Sequence, residues 1–299
     1  MIKVINDINL NYYKIFYICC KCSSFVNASK KLYISQPAIS KAIMKLEQQL
    51  GTKLFYRDRK GLTLTSDGKN LYEYIDKSYN YLMAGEKLIR EKNDVNVGTI
   101  VIGSPAHIAS FYLLDYIEKY HSKHPNVFFR IINGSTTELI KGLEEHTIDF
   151  VIDSSPINVS NKDIEVVYLK EFETCFISSK RNDSLKDNLY VMPYERSNMR
   201  INLEKELDLH NISVKVALEV ETTDLIISSV KKGMGAGYVV KKAVQEELEK
   251  EELFEIKTKF ALPKLRLNLV YVDQYLTNLS RYFIKNHINK LWFFNYRHI

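Results

Sequence analysis

Apolar and polar positions alternate along the first sixty-five residues in a way that predicts helix, helix, tight turn, helix and hairpin. Leu10, Tyr13, Phe16 and Cys19 stand at i, i+3, i+6 and i+9, an apolar stripe on a helix over residues 9–21. A short second helix follows Ser23 and Ser24; it carries Val26, Ala28 and Leu32, with Lys30 and Lys31 on its outer side. Tyr33 and Ile34 form the turn. The third helix opens at Ser35, Gln36 and Pro37, because serine is a favoured N-cap and first-turn amides have no intrahelical partner for proline to remove. Ile39, Ile43, Leu46 and Leu50 then share a buried face, and Gly51 stops the helix. Two alternating runs, 53–56 and 62–64, flank Arg57, Asp58, Arg59, Lys60 and Gly61, which predicts a hairpin with a basic tip.

The polar face of the third helix carries the candidate chemistry. Its first turns present Gln36, Ser40 and Lys41 opposite the apolar stripe. A helix that reads the major groove enters with N-terminal residues aimed at base edges. Glutamine can pair with adenine through two hydrogen bonds, and serine can bond to several bases. Lys30, Lys31 and Lys45 would hold phosphates, which fix position but carry no sequence information. The basic hairpin would act as a wing on the backbone or minor groove. A three-helix core of any function would show the same apolar spacing.

Thr65 can cap a further helix from Ser66, with Asp67 at the positive end of its dipole. No proline interrupts the pattern up to Lys92, so residues 66–92 read as one helix of roughly 27 residues and ~40 Å. Leu71, Ile75, Ser78, Leu82, Gly85 and Ile89 follow the 4-3-4-3-4 spacing of a coiled-coil seam. The alternative is a helix packed on its own domain.

Beyond a polar joint at 93–97 the pattern changes period. Residues 99–103, 127–132 and 150–152 read as strands, and 108–121 and 137–145 as helices. Such alternation predicts an α/β domain with parallel strands and crossover helices. Ligands in these folds sit past the C-terminal ends of strands, against helix starts that favour anions. Three segments occupy such places: Ser104, Pro105, Ala106 and His107; Gly134, Ser135 and Thr136; and Thr222 with Thr223. Serine and threonine there are also good caps, which is the commoner role. The expected ligand site comprises Ser104, His107, Ser135, Thr136, Thr222 and Thr223, for a small molecule that could carry a carboxylate.

Composition sharpens this picture at one end of the chain. Residues 1–60 hold eleven lysines and arginines against three acids, a net +8, which leaves −2 for the rest of a 299-residue chain totalling +6. A basic end on a weakly acidic body suits a polyanion-binding module attached to something else. The length predicts two domains. No apolar run reaches the ~18 residues needed to span a membrane, and the first ten residues lack the apolar stretch of a signal peptide. A cytoplasmic protein without membrane association is expected. Cys19, Cys20 and Cys22 share one helix, where they cannot bridge without distortion and lack the second ligand pair of a structural zinc site.

Leu10, Phe16, Ser24, Phe25, Ala28, Leu32, then Ser35, Gln36, Pro37, Ala38, Ile39 and Ser40, with Ile43, Leu46, Glu47, Leu50, Gly51, Leu54, Phe55, Arg57, Leu64, Thr65 and Gly68, resemble the signature of LysR-type transcriptional regulators. The likeness spans nearly sixty residues without a gap. It implies a winged helix-turn-helix over 1–65, with Ser35, Gln36, Pro37 and Ser40 at double-stranded DNA and Arg57 in the wing. Lys30, Lys31, Lys41, Arg59 and Lys60 complete the expected DNA-binding set. Ser29 stands where the family usually has alanine, and Lys41 occupies a position the family varies. A more diffuse likeness covers the rest: Gly98, Thr99, Ile102, Gly103, His124, Pro125, Asn126, Val127, Asn133, Gly134, Ile148 and Asp149 resemble the family's effector domain. That implies two α/β lobes like a periplasmic binding protein, lobe I at 98–170 plus 264–299 and lobe II at 171–263. The resemblance also implies dimerisation through residues 66–92, a homodimer or homotetramer, and contact with RNA polymerase. No cofactor, metal or catalytic activity is expected.

Some features point elsewhere and are set aside. The glycines at 233, 235 and 237 follow a helix and precede a strand, the reverse of a dinucleotide loop. Ala236 and Val240 depart from the family's isoleucine and proline, which leaves strand geometry there open. His121 and His124 precede Pro125 without further ligands nearby, and 246–252 is an acidic, solvated run. No nucleophile elbow or metalloprotease helix is present. A DNA-binding module fused to an enzyme, and a transport solute-binding protein, are the rival readings; the second has no use for residues 1–65.

Overall fold

A computed structural model describes residues 8–58, 61–90, 94–181, 185 and 188–288. Contacts divide the chain into two units, residues 1–83 and 84–299.

In the first unit, helices α1 (Leu10–Cys22), α2 (Phe25–Leu32) and α3 (Gln36–Leu50) precede a hairpin of β1 (Phe55–Asp58) and β2 (Gly61–Leu64). Each helix begins on a side-chain cap: Asn9 accepts from Asn11 N, Ser24 from Asn27 N and Ser35 from Ala38 N. Each ends in a left-handed residue, Ser23, Tyr33 and Gly51 respectively. The core is Ile15, Phe16, Cys19, Ala28, Ile39, Ile43, Leu46, Leu54 and Phe55. Leu10, expected on the buried stripe, is 79% exposed. At 100° per residue a strict i+3 series drifts, and Leu10 ends half a turn from Cys19. Val26 is exposed too, and Ala28 is the buried residue of α2.

Helix α4 (Ser66–Arg90) begins as expected after Thr65, whose hydroxyl accepts from Gly68 N and donates to Lys53 O. Its first half is not a free linker. Leu71, Tyr72 and Ile75 pack against the core of the first unit, so two expected seam positions are spent on the helix's own domain. Leu82 and Ile89 remain 64% and 75% exposed. Residues 91 and 92 of the expected helix lie outside the described residues.

The second unit contains two five-stranded sheets. Lobe I is built on β3 (Gly98–Gly103), β4 (Val127–Ile132), β5 (Phe150–Ser154), β6 (Glu165–Phe172) and β12 (Leu265–Tyr271), in the order β4-β3-β5-β12-β6. Lobe II uses β7 (Thr174–Ser178), β8 (Leu189–Pro193), β9 (Lys215–Val220), β10 (Ala236–Val240) and β11 (Phe254–Ile256), in the order β11-β7-β10-β8-β9. Parallel pairs β3–β4, β3–β5, β8–β9 and β8–β10 form one side of each sheet, out to the edge strands β4 and β9, and antiparallel strands complete the other side. The chain passes between lobes twice. The first passage falls two residues past the expected 170, because β6 stays paired to β12 as far as Phe172 opposite Leu265. Residues 289–299 of the expected lobe I lie outside the described residues.

The segment around Ala236 is a regular, fully buried strand paired with β7 and β8. Gly235 explains the adjoining glycine run: its φ is +140°, and a Cβ there would stand 2.2 Å from Leu189 O. The expected helix at 108–121 is three pieces, α5 (Ala106–Ile108), a π turn at Ala109–Leu113 and α6 (Leu114–His121). Helices α7 (Thr136–Glu144), α8 (Asn198–Leu209) and α9 (Thr223–Lys231) start at the C-terminal ends of β4, β8 and β9.

Candidate nucleic-acid interface and effector cleft

The α3 surface follows from its caps. Ser35 Oγ accepts from Ala38 N at 3.4 Å, so α3 starts at Gln36 with its first amides facing outward. Gln36, Pro37 and Lys41 are exposed and Ser40 is half-buried, on the side away from Ile39, Ala42, Ile43 and Leu46. Met44 and Gln48, unremarked in the sequence reading, extend this exposed side. Lys30, Lys31 and Lys45 are also exposed, and among the described residues neither they nor Lys41 forms an ion pair. Solvated, unpaired lysines beside an open helix start make a surface for a polyanion.

The wing is anchored by a residue that the sequence reading gave no role. Glu47 turns its carboxylate off the buried face of α3 to accept from Leu54 N at 2.9 Å, Phe55 N at 3.4 Å and Lys53 Nζ at 2.9 Å. Burial raises its pKa, but these three bonds outweigh burial and hold the carboxyl below its ordinary value. Glu47 flanks the apolar stripe, four residues after Ile43, and nothing near it in sequence shows which amides it meets. Arg57 lies in β1 opposite Leu62. Its side chain, and the whole of Arg59 and Lys60, fall outside the described residues.

In the second unit, the lobe I candidates converge. Ala106 N donates to Asn133 Oδ1 at 2.8 Å, which joins the loop after β3 to the loop after β4. Thr136 Oγ1 donates to Asp153 Oδ2 at 2.7 Å. Burial pushes Asp153 up to about 6, against the opposing hydrogen bonds from Thr136 and Ser154. Among the described residues His107 Nε2 is buried with no hydrogen-bond partner, and burial lowers this imidazole to about 4, so it is neutral at pH 7.

Lobe II meets this group through Asn198, at the start of α8. Its amide donates to Thr136 Oγ1 at 3.3 Å, Ser154 O at 2.5 Å and Pro156 O at 3.1 Å, and Asn202 donates to Ser155 O at 3.1 Å. Away from this contact, Lys242 of lobe II donates to Phe111 O at 2.9 Å, inside the π turn, and pairs with Asp115 at 3.1 Å. The sequence reading missed Asn198, Asn202, Asp153 and Lys242. A Ser-Asn helix start after an apolar run was the available signal for Asn198.

Other expected effector residues serve the backbone. Ser104 is fully buried, and its hydroxyl's bond is to Pro105 O at 3.4 Å. Ser135 forms a capping box with Glu138, and Thr222 accepts from Leu225 N as the α9 cap. Among the described residues no hydrogen bond joins Thr222 or Thr223 to lobe I. A groove of about 920 Å³ opens elsewhere, lined in part by Lys170, Phe172, Lys241, Leu248 and Phe254, and it includes none of the expected residues. Its volume is large, but its cations Arg181 and Lys241 already pair with Glu251 and Glu255.

Residues 10–69 match the family model described as bacterial regulatory helix-turn-helix protein, lysR family, and residues 93–286 match the LysR substrate binding domain. The HTH-type transcriptional regulator YofA of Bacillus velezensis is 28% identical over 274 residues, covering 89% of this chain and 92% of its own. Full-length CbnR complexed with its target DNA has a TM-score of 0.69 at 15% identity, over 94% of this chain and 99% of that one. A full-length OxyR variant from Pseudomonas aeruginosa gives 0.67 at 16% identity, over 95% of each. At such identities the solved structures speak for the fold.

Proposed function

As a member of the LysR family of DNA-binding transcription regulators, with a helix-turn-helix and an effector-binding domain, the chain is one for which we propose a specific division of labour. Gln36, Ser40 and Lys41 read base edges in the major groove; Ser35 and Pro37 set the entry of α3; Lys30, Lys31 and the wing residues Arg57, Arg59 and Lys60 hold phosphates. The protein acts in the cytoplasm on RNA polymerase as a homodimer or homotetramer, which places two α3 helices on two half-sites. A small metabolite binds between the lobes, where Thr136, Asn198 and neutral His107 offer it hydrogen bonds, with Ser104, Ser135, Thr222 and Thr223 around them. A carboxylate on that metabolite suits the helix starts there. Effector changes the regulator by binding two arrangements of the lobes with different free energies.

The observation that carries the DNA reading is the face of exposed Gln36 and Lys41 and half-buried Ser40, beside lysines that form no ion pair among the described residues. The test is binding of the full chain to genomic fragments at two salt concentrations, for wild type and for Gln36→Ala/Ser40→Ala. Wild type should bind selected fragments in a salt-sensitive manner, and the double variant should keep its affinity for bulk DNA while losing selectivity. Equal selectivity in both proteins would remove α3 as the reading element. For the cleft, metabolite titrations followed by thermal shift should respond in wild type and be weakened in Thr136→Ala and Asn198→Ala. Equal responses in all three would place the effector elsewhere.

A further inference from the structure

The turn between α2 and α3 rests on Tyr33. Its φ is 56° and ψ 37°, and its N–H bonds back to Ser29 O to close α2. Ile34 N bonds to the same carbonyl at 3.2 Å. This left-handed conformation strains any residue with a Cβ, and glycine or asparagine takes it more readily. The side chain recovers nothing from the fold in return. Tyr33 is 94% exposed, the most solvated of the large apolar side chains among the described residues. Within them its phenol has no hydrogen bond and its ring no aromatic or cation partner.

Its surroundings select the kind of partner that would use it. Lys30 and Lys31 occupy the last turn of α2, and Ser35 and Gln36 open α3 two and three residues on; all four are exposed. An aromatic hydroxyl there borders the surface assigned above to DNA, among unpaired cations and outward-facing amides. A phosphate oxygen is the acceptor that such a neighbourhood attracts, and a phenol is a neutral donor to it.

We propose that Tyr33 is a DNA-positioning residue, donating its O–H to a backbone phosphate at the margin of the site that α3 reads. It fixes the register of α3 on the duplex and carries no sequence preference. This rests on the assignment of α3 as the reading helix.

The test is fluorescence anisotropy with the full chain on a fragment that wild type selects and on a scrambled duplex, over a salt series. The proteins are wild type, Tyr33→Phe, Tyr33→Gly, Lys30→Ala and Gln36→Ala. Loss of one neutral hydrogen bond in Tyr33→Phe should weaken binding to both duplexes alike, by about three- to tenfold. The slope of log affinity against log salt should stay unchanged, since a neutral donor releases no counterion, whereas Lys30→Ala should lower it by about 1. Tyr33→Gly should bind at least as weakly as Tyr33→Phe yet melt no lower than wild type, a combination that a purely structural role would not give. Unaltered affinity in Tyr33→Phe, or a loss confined to the selected fragment, would overturn the proposal. The underlying assignment fails separately: it falls if Gln36→Ala keeps full selectivity, whatever Tyr33→Phe does.

Discussion

Glu47 joins two elements through a single carboxylate, and the chemistry of that group sets its pH behaviour. Because hydrogen bonds from Leu54, Lys53 and Phe55 hold its pKa below the unfolded value, it contributes stability above roughly pH 4.3 and loses it as pH falls through the lower native value. Glu47→Gln should cost the first unit about 2 kcal/mol at pH 7. Melting curves from pH 3 to 7 should then show a shallower acid-side decline than wild type, and parallel declines would count against the anchor. Gly68 makes a second sharp case. A Cβ there would lie 2.1 Å from Leu54 O, the carbonyl that accepts from Thr65 N. Alanine is the better helix former by about 1 kcal/mol, but backbone has to move to admit it. Gly68→Ala should therefore destabilise by about 2 kcal/mol in urea titration. A stabilised variant would show that α4 does not pack that closely on Leu54.

At the scale of elements, α4 serves two purposes along its length. Tyr17 stacks on Tyr79 with ring centroids 4.4 Å apart, and Lys21 pairs with Asp76 at 2.9 Å while lying over the Tyr17 and Tyr72 rings. These contacts tie α1 to the first half of α4. At its last turn, Lys87 reaches Asp149 at 2.8 Å through both carboxylate oxygens, and Asp149 also accepts from Val101 N and Ser280 Oγ. Asp149 immediately precedes β5, whose other end carries Asp153 and Ser154 at the contact with Asn198. One fully buried strand thus links the anchor of α4 to the meeting of the lobes. Asp149→Asn leaves Lys87 without its counter-charge in a mostly buried place, and should destabilise the second unit by about 3 kcal/mol. Calorimetry that finds the second unit's transition unmoved would mean the pair is solvated rather than structural.

For the molecule as a whole, the exposed apolar side chains of α4 suit the homodimer proposed above. Tyr74, Leu82, Met83 and Ile89 are all more than half exposed on one helix. Replacing Leu82 and Ile89 together by glutamate should convert an assembled protein to monomer in light scattering. It should also weaken selective DNA binding by more than tenfold, because two half-sites are no longer engaged together. An unchanged mass would place the interface elsewhere.

The sequence by itself determined what local physics dictates. Caps at Ser35 and Thr65, the glycine stop at Gly51, the polar face of Gln36 and Lys41, and the strand-helix alternation after Gly98 each depend on residues within a turn or two of one another. Charge placement, too, is a sum over sequence and needs no fold. What remained hidden depends on groups distant in the chain. The half-turn drift that exposes Leu10, and the use of Leu71 and Ile75 as core, became visible only once other helices supplied a direction for inside. Glu47 shows no partner in the sequence until Leu54 and Phe55 bring their amides to it, and Asn198 reads as a helix start until Thr136, sixty-two residues earlier, arrives across the lobes. Periodicity states that a residue has a face; tertiary structure alone decides what that face meets, because burial and hydrogen-bond partners are properties of pairs and not of positions.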